Sequence, residues 1–143
     1  YERVVPARRG VMEMQNAECK MQNEDVGSGN VVLDKSFDFA VRIVNAYKFL
    51  TGERKEFVLS KQLLRSGTSI GANVSEAQCG QSRSDFYAKM CISLKEANET
   101  HYWLKLLYRT DFLTKQQFTS LNSDITELIG LLTAICKSAQ ASR

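Results

Sequence analysis

The sequence is poor in helix breakers and in metal ligands. Its 143 residues contain one proline, Pro6, against an average share of about 5%. Proline removes a helical hydrogen bond and seeds turns, so a chain without it from residue 7 onward favours long helices over a turn-rich β fold. No window approaches the roughly 18 consecutive apolar residues of a membrane span. The N-terminus lacks the apolar core of a secretory signal, and no membrane partner is expected. One histidine, His101, and four scattered cysteines without a C-x-x-C pair leave no zinc-binding pattern. Cys91 falls within an apolar helical pattern and Cys136 next to one, where cysteine acts as a small hydrophobe. Free thiols in a reducing cytoplasm are therefore expected over disulfides, for Cys19 and Cys79 as well.

Charge is modest too, at +3 net, but unevenly placed. Residues 60–109 hold seven Lys/Arg against four acids, whereas 1–33 hold four against five. The basic surplus thus sits in the middle of the chain. Solvated helix faces are the bland reading of it.

What the sequence does have is helical periodicity, clearest in SKQLLRSGTSIGANVSEA, residues 60–77. Leu63, Gly67, Ile70, Val74 and Ala77 recur in alternating steps of four and three, along one helix face. Ser69, Asn73 and Glu76 share a second face. An apolar seam beside a polar one predicts packing on two sides. Gly67 and Gly71 form a G-x-x-x-G, whose bland meaning is close approach of a neighbouring helix that offsets the poor helix propensity of glycine. No Gly-Lys-Ser/Thr follows, so this is not a phosphate-binding loop.

Around that stretch the chain divides into an N-terminal arm over 1–33, weakly ordered or added in cloning, a bundle over 34–139 and a tail over 140–143. The arm carries a Gly-Ser-Gly-Asn break at 27–30, a possible docking segment at Met12, Met14 and Met21, and a short extended run at Val31–Leu33. A first helix is expected from Asp34 or Ser36 to about Thr51. Its stripe would be Phe37, Ala40, Val41, Val44 and Tyr47 or Lys48, widened by Ile43 and Leu50, and Gly52 would end it in a left-handed conformation. A charged connector, residues 53–56, leads to the second helix, which ends at Gly80. The third begins at Ser82, with Ser-x-x-acid spacing, and runs to about Arg109. It carries one seam at Phe86, Met90, Ser93, Ala97, Thr100, Leu104 and Leu107, and another at Tyr87, Cys91, Leu94, Asn98, His101 and Tyr108. Such a wide band predicts a central helix or one at a subunit interface. Thr114–Gln117 fits a capping box for the fourth helix, with Phe118, Leu121, Ile125, Leu128, Leu132, Ile135 and Ala139 facing inward. Short connectors make antiparallel up–down neighbours the default, giving an all-α four-helix bundle.

Candidate chemistry is thin. Glu76, Glu96 and Glu99 raise the possibility of a di-iron bundle, but such sites need two Glu-x-x-His repeats and one histidine is present. Ser69 lacks a base to make it a nucleophile. No catalytic residue, metal site or cofactor is expected. Ser69, Asn73 and Glu76 with Ser93 and Glu96 read instead as a polar network that fixes helix register. His101, Tyr102 and Trp103 cluster late in the third helix, where they pack or stack on a base. Lys61 and Arg65, and Lys105 and Arg109, fall four apart on their helices; with Lys89 and Lys95 they are the candidate phosphate contacts.

Gln62-Leu63 with Arg65-Ser66, then Ser69-Ile70, Asn73-Val74 and Glu76, followed by Phe86 and Ser93-Leu94-x-Glu96, resemble the bacterial four-helix-bundle family of rRNA intervening-sequence proteins. The resemblance covers about residues 34–139. It implies an antiparallel bundle assembled as a ring-shaped homopentamer. It also implies kinship with the accessory variability determinant of diversity-generating retroelements, a basic pentameric barrel that engages a reverse transcriptase and nucleic acid. The chain differs from the usual pattern at Gly71, where proline is frequent, and at Ala77, where glycine often follows the glutamate. The expectation is a non-enzymatic, cytoplasmic homo-oligomer that binds RNA or a nucleic-acid-processing protein. The alternative is a protein–protein adaptor with no nucleic-acid role.

Overall fold

The computed structural model describes residues 30–141, and over them the chain is four helices: α1 Asn30–Gly52, α2 Leu59–Gln78, α3 Arg83–Arg109 and α4 Lys115–Ala141. The arm's methionines, with the Gly-Ser-Gly part of its break, lie outside the described residues. Val31–Leu33 belongs to α1 rather than to an extended run, so the first helix starts four residues before Asp34. Cross-helix contacts give each pair its direction. Ser93 on α3 meets Ile70 on α2, and Thr100 meets Ser66; Cys91 meets Cys136 and Tyr108 stacks on Phe118 across α3 and α4. In each pair, rising numbers on one helix meet falling numbers on the next. The bundle is antiparallel, up and down.

The core is one cluster, fed by all four helices. Leu63, Ile70 and Val74 from α2, Met90, Ala97, Leu104 and Leu107 from α3, and Ile125 and Leu132 from α4 are fully enclosed. Every residue of the α2 seam is buried, and the α3 seam is too apart from Phe86, which is half-buried. In α4 the inward positions Leu121, Ile125, Leu128 and Leu132 are buried, joined by Cys136.

α1 is the exception. Its buried residues are Val32, Ser36, Phe39, Ile43 and Leu50, a stripe that keeps Ile43 and Leu50 of the expected one but is rotated away from Phe37 and Val41. Phe37 is 67% exposed and Val41 47% exposed. The reason lies at the glycines of α2. A Cβ at Gly67 would stand 2.8 Å from both Cγ atoms of Ile43, and one at Gly71 would stand 3.2 Å from the carbonyl oxygen of Ser36. The G-x-x-x-G is a groove that seats the Ser36–Ile43 face of α1, and that close fit fixes the rotation of the helix. On its other flank Lys35 pairs with Glu127, and Arg42 reaches Asp124 and Ser120, which ties α1 to α4.

The helix ends follow local chemistry. Thr114 and Gln117 form the reciprocal capping box: the Thr114 N–H donates to Gln117 Oε1 at 2.9 Å and the Gln117 N–H to Thr114 Oγ1 at 3.2 Å. The Ser82 hydroxyl accepts from the Asp85 N–H at 3.1 Å and so caps α3. Gly52 closes α1 without a left-handed φ; that conformation falls on Lys55, and on Asp111 after α3. The connector before α2 holds more than exposed charge. Glu56 is buried, and its carboxylate accepts from the N–H groups of Val58, Leu59 and Ser60 at 3.0, 2.8 and 2.6 Å. Those N–H groups have no intrahelical partner at a helix start, and an anion there also opposes the helix dipole. Burial by itself would raise the Glu56 pKa, but these hydrogen bonds outweigh it and hold the group below its ordinary value.

Candidate nucleic-acid interface

The six basic candidates separate into two groups. Arg65 lies 3.6 Å from Glu99, and Lys89 lies 2.6 Å from Glu76, so both bridge α2 to α3. Lys61, Lys95, Lys105 and Arg109 are exposed, and among the described residues none of them forms an ion pair. Three of these four lie on α3 with Tyr102, in the order Lys95, Tyr102, Lys105 and Arg109. Steps of seven, three and four keep them on one outward arc of the helix. Tyr102 is 55% exposed and meets the Trp103 ring edge-on, with centroids 5.0 Å apart. His101 and Trp103 are half-buried, so of the aromatic trio Tyr102 is the ring on the surface. The arc therefore offers cations to phosphates and an aromatic face to a base.

The polar residues of α2 and α3 do different work from a continuous side-chain network. Ser69 donates to the Arg65 carbonyl, Asn73 to the Ser69 carbonyl, and Ser93 to the Ile70 carbonyl at 2.9 Å. Glu76 is engaged by Lys89. Ser93 and Lys89 thus reach from α3 to α2, and a further link, between two buried hydroxyls, lies two turns along α3, where the Thr100 hydroxyl donates to Ser66 Oγ at 3.0 Å, both residues being fully buried. Ser66 lies on the inward face of α2 beside Leu63 and Ile70. Its position three after Leu63 and four before Ile70 was the available signal, hidden because serine does not count as apolar.

Glu96 stands apart. Burial, then a hydrogen bond and like charge from Glu99, raise its pKa, with Arg65 and Lys95 pulling weakly the other way. Its Oε2 is buried and has no hydrogen-bond partner among the described residues. A raised carboxylate can serve acid–base chemistry; the charged groups that act on this one are Glu99, Arg65 and Lys95. Among the described residues no three His, Cys, Asp or Glu side chains come together as a metal site, and no helix is long and apolar enough to cross a membrane. The expectation of free thiols holds at Cys91 and Cys136 and fails at Cys79, which is disulfide-bonded.

The family model described as 23S rRNA-intervening sequence protein matches residues 29–134. No curated protein matches the chain. Among solved structures, the chain is similar to a protein of unknown function from the S23 ribosomal protein family of Bacteroides thetaiotaomicron. The two share 63% identity over 76% of this chain and 97% of that one, with a TM-score of 0.75. The match begins at residue 29, one residue before α1, so family and fold agree on where the bundle starts. With its four antiparallel helices, its buried α2 and α3 seams and a match over most of its length, the chain belongs to the 23S rRNA-intervening sequence protein family.

Proposed function

We propose that the protein is a non-enzymatic, cytoplasmic, homo-oligomeric helical scaffold that binds RNA, or a protein that processes nucleic acid, through the outward face of α3. The observation that carries this reading is the arc on which exposed Tyr102 lies among Lys95, Lys105 and Arg109, none of them in an ion pair among the described residues. Lys61 on α2 adds a fifth contact, while Arg65 and Lys89 spend their charge on carboxylates and hold α2 against α3. The family's description refers to 23S rRNA, which makes structured RNA the first probe. Self-association is supported by Phe37 and Val41 on α1, a stripe that none of the described residues covers and that is suited to a second copy. Reversing charge at Lys105 and Arg109 to glutamate is expected to weaken RNA binding across all sequences and flatten its salt dependence by about one unit of log–log slope per lost phosphate contact. Unchanged affinity and slope would remove the arc from the interface.

A protein adaptor is the second reading, favoured by Ile92, which is 42% exposed on α3 near the cations. It predicts association with a protein that is insensitive to salt, and purified material free of nucleic acid.

A further inference from the structure

Two free thiols face each other across α3 and α4. Cys91 Sγ lies 3.5 Å from Cys136 Sγ, donating toward it. Closing to a disulfide of about 2.05 Å needs an approach of about 1.5 Å. The two partners are unequal. Cys136 is buried, and burial together with its neighbour Cys91 pushes its thiol pKa up to about 12. Cys91 is half-buried, so it is the sulfur a small oxidant can reach.

Their place in the fold gives the pair a mechanical meaning. The loop between Arg109 and Lys115 ties α3 to α4 at one end of that hairpin. Cys91 lies in the third turn of α3 and Cys136 in the penultimate turn of α4, at the opposite, open end. A bond there would close residues 92–135 into a ring and restrict the unfolded chain.

We propose that Cys91 and Cys136 form a hydroperoxide-responsive disulfide that staples the open end of the α3–α4 hairpin. The Cys91 thiolate, its proton released to solvent, attacks a peroxide oxygen. The O–O bond breaks, leaving a sulfenic acid on Cys91, and the departing alkoxide or hydroxide takes up a proton. Cys136 Sγ then attacks the Cys91 sulfur, the S–O bond breaks, and the Cys136 proton leaves with the hydroxide as water. Two thiols and one hydroperoxide give one disulfide, one alcohol (or water) and one water. Protonated Cys136 suits the second step, since the leaving hydroxide needs that proton, and burial protects it from being oxidised first.

The test treats fully reduced, full-length protein with hydrogen peroxide, blocks remaining thiols, digests with trypsin and maps the peptides by mass. The expected product is a cross-linked pair joining residues 90–95 to residues 116–137, two hydrogens lighter than the sum of the free peptides and separated by reductant. The oxidised protein should melt roughly 5–15 °C higher than the reduced one. Cys91→Ala should abolish the cross-link and leave only the part of the shift that re-forming the Cys79 disulfide supplies, and Cys136→Ala should leave Cys91 to advance to the sulfinic acid. Where Cys136→Ala fails to fold, the wild-type peptide map and Cys91→Ala decide alone. Sulfinic acid at Cys91 in the wild type without a cross-link, or a cross-link with no change in melting, would overturn the proposal.

Discussion

α1 and α3 each carry an apolar stripe at helical spacing, yet the two stripes meet opposite fates. On α3, Met90, Ala97, Leu104 and Leu107 are sealed inside the bundle. On α1, Phe37 and Val41 face outward, and the core is reached instead through Val32, Ser36, Phe39, Ile43 and Leu50. Both stripes satisfy the same periodicity. What separates them is the groove: Gly67 and Gly71 lie so close to Ile43 and Ser36 that a Cβ at either glycine would press on them. Periodicity says that a helix has an apolar side, and close packing decides which side meets its own chain.

That contrast is open to direct attack. The largest effect should come from Leu104→Ala, where a fully enclosed side chain leaves a cavity; denaturant unfolding should show a loss of about 2–5 kcal/mol. The double change Phe37→Ser and Val41→Ser should leave unfolding within about 0.5 kcal/mol when measured on dilute, dissociated protein, since surface substitutions sit in that range. A comparable loss from both would erase the distinction between inner and outer stripes. Next in size is Gly67→Ala. The added methyl would overlap the branched carbons of Ile43, and a net loss of about 1–2 kcal/mol is expected after the gain in helix propensity. Stabilisation instead would mean that α1 is not seated in this groove.

Two glutamates, buried Glu56 and half-buried Glu96, sharpen the comparison through pH. Glu56 has a folded pKa below its ordinary value, so its contribution is present above the unfolded pKa and disappears as pH falls through the folded one. Glu56→Gln should cost about 1–2 kcal/mol at pH 7 and much less in acid, below the folded pKa, where the wild type has lost the same charge. Glu96 is raised, so the sign reverses: the folded state binds its proton more tightly, and stability falls as pH rises from the unfolded pKa to the folded one. Glu96→Gln should therefore be neutral or stabilising at pH 7, by less than about 1 kcal/mol. Thermal melts of both variants from acid to neutral pH check the pair, and curves bending the same way would contradict these assignments.

The parts of this fold legible in the sequence were those governed by local rules. The capping box at Thr114–Gln117, the cap at Ser82 and the α2 and α3 seams depend on residues within one or two turns, and the structure has them all. The rotation of α1 was not legible, because Ser36 is polar and its burial depends on glycines more than thirty residues away. Glu56 was hidden for a related reason. Two residues separate it from the helical segment it serves, and a carboxylate in a charged connector looks like solvent-facing charge until its three N–H donors are in place. The basic candidates were legible as a set, but which of them are free depended on Glu76 and Glu99 reaching across to the neighbouring helix.

The claim that α1's outer stripe is covered by a second copy is tested most directly by light scattering of the wild type beside the Phe37→Ser, Val41→Ser variant. The account predicts a wild-type mass that is a multiple of 16.1 kDa, and a variant that shifts toward 16.1 kDa while keeping its helical circular dichroism. A wild type already at the single-chain mass, or a variant whose assembly is unchanged, would contradict it.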